Sequence, residues 1–459
     1  MKQKKEYIDR VQFAVDHARK LGADAAEAFV SDTQSVQINI SNRKTEQANA
    51  LCDAGIGIRI LKDQKMVSGS SNDLGSDSVK ALISDLSKKV LFHTVDEFNV
   101  IPGESNDVLV QDWSANADAL SYDPKIDGVP VQEKINKAIR LETAGLDSSP
   151  KITGSMMVLY QDNTTHLYLA NSNGISGWFP TSSCMGYVEL SAAEKGDQQS
   201  GNYFQAKVNY DDLDTDLIGR RAAENALRML GAKPINSCEI PMVVSPEVGT
   251  QILSYIVGML SADEVQKGKS LFAGKLDTPV AARILNVIDD GKMKGGLNTN
   301  PVDGEGVPQQ TTPLIVGGIL KNYLYDSYTA KKGKAKSTGN YQRSGYQGSG
   351  SIGNTNLYLQ KGGIKRKTLI SGIDKGFYMQ DAIGMFAGID STSGEFSIPA
   401  IGFMIEKGSI TYPIRGISIS GNLFDFLKSV DAIADDLTWF QSVGCPTFSV
   451  TSIKIGGVS

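Results

Sequence analysis

Residues 289–346, DDGKMKGGLNTNPVDGEGVPQQTTPLIVGGILKNYLYDSYTAKKGKAKSTGNYQRSGY, limit what this chain can fold into more than any other stretch. The stretch opens on paired aspartates and passes a second acidic knot, Asp303-Gly304-Glu305-Gly306. An apolar hairpin follows at 314–324, turning at Gly317-Gly318, and a basic, hydroxyl- and glycine-rich run closes it at 331–343. Glycine at this density supplies left-handed backbone and close approach. The segment therefore predicts a cavity wall built from hairpins.

The preceding residues carry a simpler pattern. Residues 5–21 read as an amphipathic helix, with Ile8, Val11, Val15 and Ala18 on one face and Gly22 at the end. Alternating segments follow at 27–30, 35–40, 44–48, 55–61 and 65–70, with a hairpin turn at Asp63-Gln64. A helix is expected at 79–91 and irregular chain at 94–130. A helix at 131–145, strands at 151–160, 165–170, 175–190 and 202–208, and a helix at 211–230 then restore the helix-and-meander order. That order suggests a duplication of about 1–125 and 126–235.

Gly231-Ala232-Lys233-Pro234 divides an N-terminal α/β region, 1–235, from a C-terminal domain, 236–459. In the latter, 240–244 reads as a buried strand. Ser245-Pro246 starts a helix whose face is Val248, Ile252, Ile256 and Met259. Beyond 281, glycine-punctuated strands with short helices near 368–373 and 422–434 predict a barrel or sandwich. The expected class is α+β: helices with antiparallel sheets, then an antiparallel β-rich domain.

With 51 acidic and 46 basic residues the net charge is −5, which argues against direct nucleic-acid binding. No stretch approaches the roughly 18 apolar residues of a membrane span, and the first 20 residues lack a signal-peptide core. Cys52, Cys184, Cys238 and Cys445 are far apart, the usage of a cytoplasmic protein with reduced thiols.

DDG at 289–291, GGLNTNPVDGEGVP at 295–308, GILKNYLYDSYTA at 318–330 and STGNYQRS at 337–344 together resemble the TldD/PmbA family. The likeness is strong from about residue 239 onward and weaker before it. It implies a β-rich C-terminal domain enclosing a lumen. It also implies a protease of two subunit types, a zinc peptidase (TldD) and a companion (TldE or PmbA, also described as a modulator of DNA gyrase).

In the peptidase type the helix after the buried strand carries H-E-x-x-x-H, and a cysteine late in the chain supplies a third ligand. Zinc hydrolysis needs three such ligands and an open water position. Aligned through GKSLFAG (268–274) and DDG, the motif falls on Ser254, Tyr255 and Met259. The three histidines, His17, His93 and His166, all lie in the N-terminal half, and no cysteine lies between Cys238 and Cys445.

No catalytic residue and no metal ligand is therefore assigned; zinc is expected only in a TldD-type partner. The resemblance implies an accessory subunit acting on unfolded or extended peptide with that partner, and a homodimer when isolated. Two other readings stand beside it: a regulatory binding protein acting on gyrase or a toxin–antitoxin pair, and a zinc-independent hydrolase using Ser254 or Cys445. Asp289, Asp303, Glu305, Lys336 and Arg343 are candidates for lining a cavity or touching peptide. Turn chemistry and solvated loop are their plainer readings. The GxGxxG at 348–353 leads into a strand, not a helix, so it does not read as a dinucleotide site.

Overall fold

The computed structural model describes residues 2–103, 113, 121–347 and 349–457. Much of the stretch expected to be irregular, and Gly348 of the GxGxxG, lie outside the described residues.

The N-terminal part runs α1 (Lys2–Lys20), β1 (Ala25–Ser41), β2 (Lys44–Lys62), β3 (Lys65–Ser71), α2 (Ser76–Lys89), α3 (Val131–Leu146), β4 (Ile152–Asn171), β5 (Ser176–Glu194), β6 (Asp197–Lys207) and α4 (Thr215–Arg228). Its strands form one antiparallel sheet in the order β3-β2-β1-β4-β5-β6. Segments expected as separate strands are continuous: 27–30 and 35–40 share β1, 44–48 and 55–61 share β2, and 151–160 and 165–170 share β4. The polar residues between them read as breaks, yet in β1 they are paired on both sides; Asp32, for instance, faces Ala54 and His166.

Period two sorts the two faces of this sheet. Ala26, Ala28 and Val30 of β1 join Ile56, Ile58 and Ile60 of β2 in one apolar cluster with residues of α1 and α2. Ile38, Ile40, Val158 and Tyr160 join residues of α3 and α4 in another. The opposite face, with Glu27, Phe29, Ser31 and Thr33, turns toward the C-terminal domain. Strand β3 pairs only with residues 56–62 of β2, so residues 44–53 of β2 have β1 on one side and, among the described residues, no strand on the other.

The C-terminal part continues with β7 (Cys238–Val244), α5 (Pro246–Met259), α6 (Ala262–Gln266), β8 (Val287–Asp290), β9 (Thr311–Val316), β10 (Ile319–Leu320), α7 (Ser327–Gly333), β11 (Tyr341–Gln342), β12 (Ser351–Ile352) and β13 (Leu357–Leu359). Then come α8 (Arg366–Ser371), β14 (Lys375–Ala382), β15 (Glu395–Glu406), β16 (Ser409–Asn422), α9 (Leu423–Lys428), β17 (Val430–Ile433), β18 (Thr438–Phe440), β19 (Val443–Cys445) and β20 (Phe448–Gly456). Strands β16-β15-β14-β7-β20 follow one another, and β20 returns to β16, closing a five-stranded barrel. A second sheet runs β10-β9-β8-β13-β19-β18, and α5 lies in the core that barrel and sheet share.

Three details depart from expectation. Pairings β7–β14 and β13–β19 are parallel, each joining strands separated by a long excursion, as parallel pairing requires. Of 422–434 only Leu423–Lys428 is helical; Val430 to Ile433 pairs with β20 instead. The basic run at 331–343 begins inside α7, which Asp326 starts by accepting the Thr329 N–H at 2.8 Å. The hairpin at 314–324 turns at Gly317-Gly318, both at positive φ.

Candidate functional site

The acidic knot at 303–306 folds back on itself. The Asp303 carboxyl accepts the backbone N–H groups of Glu305 (2.8 Å), Val307 (3.0 Å) and Tyr341 (3.0 Å). This fixes the loop and aims Glu305 at the N-terminal sheet. There Arg59 of β2 donates to both oxygens of Glu27 on β1 (3.0 and 2.9 Å), and two of its nitrogens reach Glu305 Oε1 at 3.1 Å. Arg343 donates to Glu27 and, at 2.7 Å, to the Gly304 carbonyl. It also lies over the Phe29 ring, 5.0 Å from the centroid. The second Glu305 oxygen accepts the Ser327 N–H at 3.0 Å.

Two guanidinium groups and two glutamates are thus buried at the junction of the two parts of the chain, with Asp303 beside them. Burial by itself raises the Glu27 carboxyl, but Arg59 and Arg343 outweigh it and hold Glu27 below its ordinary value. Burial likewise disfavours charge on Arg59, and Glu27 and Glu305 overcome it, so this guanidinium stays charged. Burial, reinforced by the Glu305 charge, pushes Asp303 up to about 8, against the pull of its three backbone donors.

Asp303 and Arg343 also border a cavity of about 350 Å3. Its floor is the sheet face opposite the helices: Ser31 and Thr33 of β1, Thr165 of β4, and Thr181 and Ser183 of β5, neighbours by register. A sheet face covered by a second layer is usually apolar. This one sets five hydroxyls among Phe29, Leu167 and Phe179, so what enters meets neutral donors and acceptors beside apolar surface.

The remaining candidates lie elsewhere. Asp289, on β8, is fully buried and accepts from Asn340 Nδ2 and the Thr355 N–H, each at 2.7 Å; burial pushes it up to about 6. Its place is a cross-link beneath the loops, outside the cavity lining. Lys336 is exposed on the loop after α7. Ser254, Tyr255 and Met259 lie along α5 beside an open hollow of about 280 Å3 that Glu264 and Lys269 also line. Cys445 is buried against Gly249, its thiol pushed up by burial. His17 stacks on Phe13 and His166 on Trp178, both in the N-terminal part.

Glu27 and Arg59 were not anticipated from the sequence. The signal was Gly55-Ile56-Gly57-Ile58-Arg59-Ile60. The isoleucines face the helices, while the glycines and Arg59 share the other face. A Cβ on Gly55 would lie 2.3 Å from the Tyr346 ring, and one on Gly57 would lie 2.5 Å from the Tyr346 carbonyl oxygen. An arginine among such glycines marks a face pressed against another layer.

Comparison with known proteins places this architecture. Profiles described as PmbA/TldA metallopeptidase domain 1, central domain and C-terminal domain match residues 26–89, 124–230 and 237–457. The chain belongs to the TldD/PmbA family. A metalloprotease PmbA homolog of Buchnera aphidicola subsp. Acyrthosiphon pisum is 24% identical over 441 residues, covering 94% of this chain and 93% of its own. In fold the chain is similar to a putative modulator of DNA gyrase from Bacteroides thetaiotaomicron, with TM-score 0.88, 23% identity and 98% of each chain covered. It is similar too to TldE from Thermococcus kodakarensis, with TM-score 0.87, 19% identity, and 98% of this chain and 100% of that one covered.

A metallopeptidase family implies a metal, and the residues on α5 do not fit one. The Ser254 hydroxyl donates to the Thr250 carbonyl at 2.8 Å, Tyr255 donates to the Ile389 carbonyl at 2.6 Å, and Met259 is buried. Hydroxyl, phenol and thioether groups, two of them already donating to backbone, are poor substitutes for imidazole and carboxylate. Among the described residues no three His, Cys, Asp or Glu are grouped to share an ion.

Proposed function

We propose that this chain is the non-catalytic subunit of a TldD/TldE-type protease, working in the cytoplasm with a zinc-bearing TldD-type partner on unfolded or extended peptide. The observation that carries the reading is the donor chemistry of α5: Ser254 and Tyr255 donate to backbone carbonyls and Met259 is buried, at the positions where the sequence resemblance sets the peptidase motif. The likeness in fold to TldE is consistent with it. Two features suit extended peptide. The edge of β2 at 44–53, which pairs with no second strand among the described residues, offers backbone groups to an added strand. The hydroxyl-lined cavity beside Asp303 and Arg343 offers neutral partners to main-chain amides. Glu305 works behind that wall, holding Arg59, and Asp289 is read as support, with Lys336 on an exposed loop away from the cavity.

Zinc analysis and cleavage of a flexible peptide by this chain, by a TldD-type partner and by the mixture test the proposal. The expected result is no stoichiometric zinc and no turnover for the chain alone, and faster turnover in the mixture than with the partner alone. Stoichiometric zinc in the lone chain, with turnover that a chelator abolishes, would overturn it.

A further inference from the structure

A second cavity, of about 330 Å3, lies where β6 and α4 meet the first turns of α5 and the end of β14. It is separate from the hydroxyl-lined cavity and from the hollow beside Ser254. Two carboxyls line it, Glu247 on the first turn of α5 and Asp381 in β14. Their partners are weak or local. Asp381 accepts from the Ala382 N–H at 2.8 Å and from Gln251 Nε2 at 3.4 Å. Glu247 is bonded to the Ser245 hydroxyl and its own backbone N–H.

The charges of Arg366 and Arg221 reach Glu247, but both groups hydrogen-bond to other residues. Arg221 donates to Glu224 at 2.8 Å, Arg366 donates to the Tyr378 hydroxyl at 2.6 Å, and Arg228 lies over the Phe403 ring. Burial raises both carboxyls above their ordinary range: at Glu247 it outweighs the charges of Arg366 and Arg221, and at Asp381 it is opposed only by the Ala382 N–H and the Gln251 amide. An acid on the first turn of a helix is commonplace, complementing the macrodipole. Asp381 has no such role, yet it faces the same cavity.

The walls narrow the choice of ligand. Tyr203 and Phe440 pack edge to face, 6.0 Å between centroids, and both line the cavity. Aromatic faces attract organic cations, and carboxylates bind ammonium and guanidinium through charge-assisted hydrogen bonds. A bare metal ion would want more hard ligands than two carboxylates beside aromatic rings. The volume is at the lower end of small-ligand sites and admits one long side chain with its adjoining backbone.

We propose that this cavity receives a cationic nitrogen of an extended peptide, held between the Glu247 and Asp381 carboxyls. The nitrogen is an N-terminal ammonium or the head of a lysine or arginine side chain. The identity of the ligand as peptide rests on the accessory-subunit reading above; the preference for positive charge rests on the cavity alone.

Calorimetric titration of the full chain with three probes tests it. They are a tetra-alanine amide with a free N-terminus, an acetylated one carrying a single lysine, and an acetylated one with no charge. At least one charged probe is expected to bind tenfold or more tighter than the neutral one, and which one does so names the source of the nitrogen. Glu247→Gln and Asp381→Asn are each expected to weaken that binding at least threefold, with unfolding midpoints showing that each variant folds. Equal binding of charged and neutral probes, or charge preference unchanged in both single variants, overturns the site. Loss of charge preference leaves the accessory-subunit reading standing. Zinc and turnover in the lone chain overturn that reading and leave the titration untouched.

Discussion

Arg59 holds the buried cluster together, because Glu305 pairs with it and Glu27 shares its charge with that of Arg343. Removing one partner of a buried ion network strands the others in low dielectric, which costs about 3–5 kcal/mol. Arg59→Met is expected to destabilise the protein by about that amount in urea unfolding, and adding Glu27→Gln and Glu305→Gln is expected to recover part of it. Asp303 gives a pH dependence of definite sign. Its folded pKa, about 8, stands above the unfolded value, so the native state holds a proton that the unfolded chain releases. Stability from this group is therefore full at low pH and falls as pH rises from roughly 4 toward 8. The stability advantage of the native protein over Asp303→Asn is expected to shrink between pH 5 and pH 8 in urea titrations. An advantage that grows instead would mean that the three backbone donors keep Asp303 ionised. Asp303, Glu305 and Arg343 could be picked out in the sequence because they stand in a glycine-rich loop with a mixed acidic and basic character. Glu27 could not, since a charge within a strand reads as its solvent face until the second layer is known, and Arg59 only through the glycines beside it.

Helix α5 shows how local signals translate into a dependable element. Ser245 accepts the Val248 N–H at 3.3 Å, Pro246 occupies the first turn, and Val248, Ile252, Ile256 and Met259 are buried as their spacing predicts. Its other constraint is invisible in sequence. Gly249 lies under Cys445, and a Cβ there would be 2.4 Å from the sulfur. Gly249→Ala is expected to destabilise by about 1–3 kcal/mol through overpacking, and by clearly less in a Cys445→Ala background, read as coupling in a double-mutant cycle. The stretch at 422–434 misled for a related reason. Val430 and Ile433, three apart, fit a helical face, but both are buried in a strand beside β20 whose register shifts between Val430 and Ala432. An irregular strand loses the period of two that would have identified it.

For the molecule as a whole, the charge cluster spans the junction between the helix-backed sheet and the barrel domain. Interfaces between parts of a chain are commonly polar, and their coupling decides whether the parts unfold together. Glu305→Gln combined with Arg343→Gln is expected to separate one calorimetric transition into two, or to broaden it, while a surface pair such as Lys151 and Glu194 can be removed without that effect. The two helix-and-meander runs and the change to glycine-punctuated strands were readable from periodicity. Closure of a barrel was not distinguishable from a sandwich, because closure depends on β20 meeting β7 and β16, pairings that leave no local trace.

Those pairings carry a consequence for biosynthesis. Met242, Val243 and Val244 of β7 are fully buried, yet one flanking strand is encoded about 130 residues later and the other about 200. At ordinary ribosomal speed β7 waits roughly 10–40 s before both neighbours exist. A nascent chain with a bare, sticky ribbon for that long is a natural client for a holding chaperone, and slowing translation past residue 244 should lower the soluble yield.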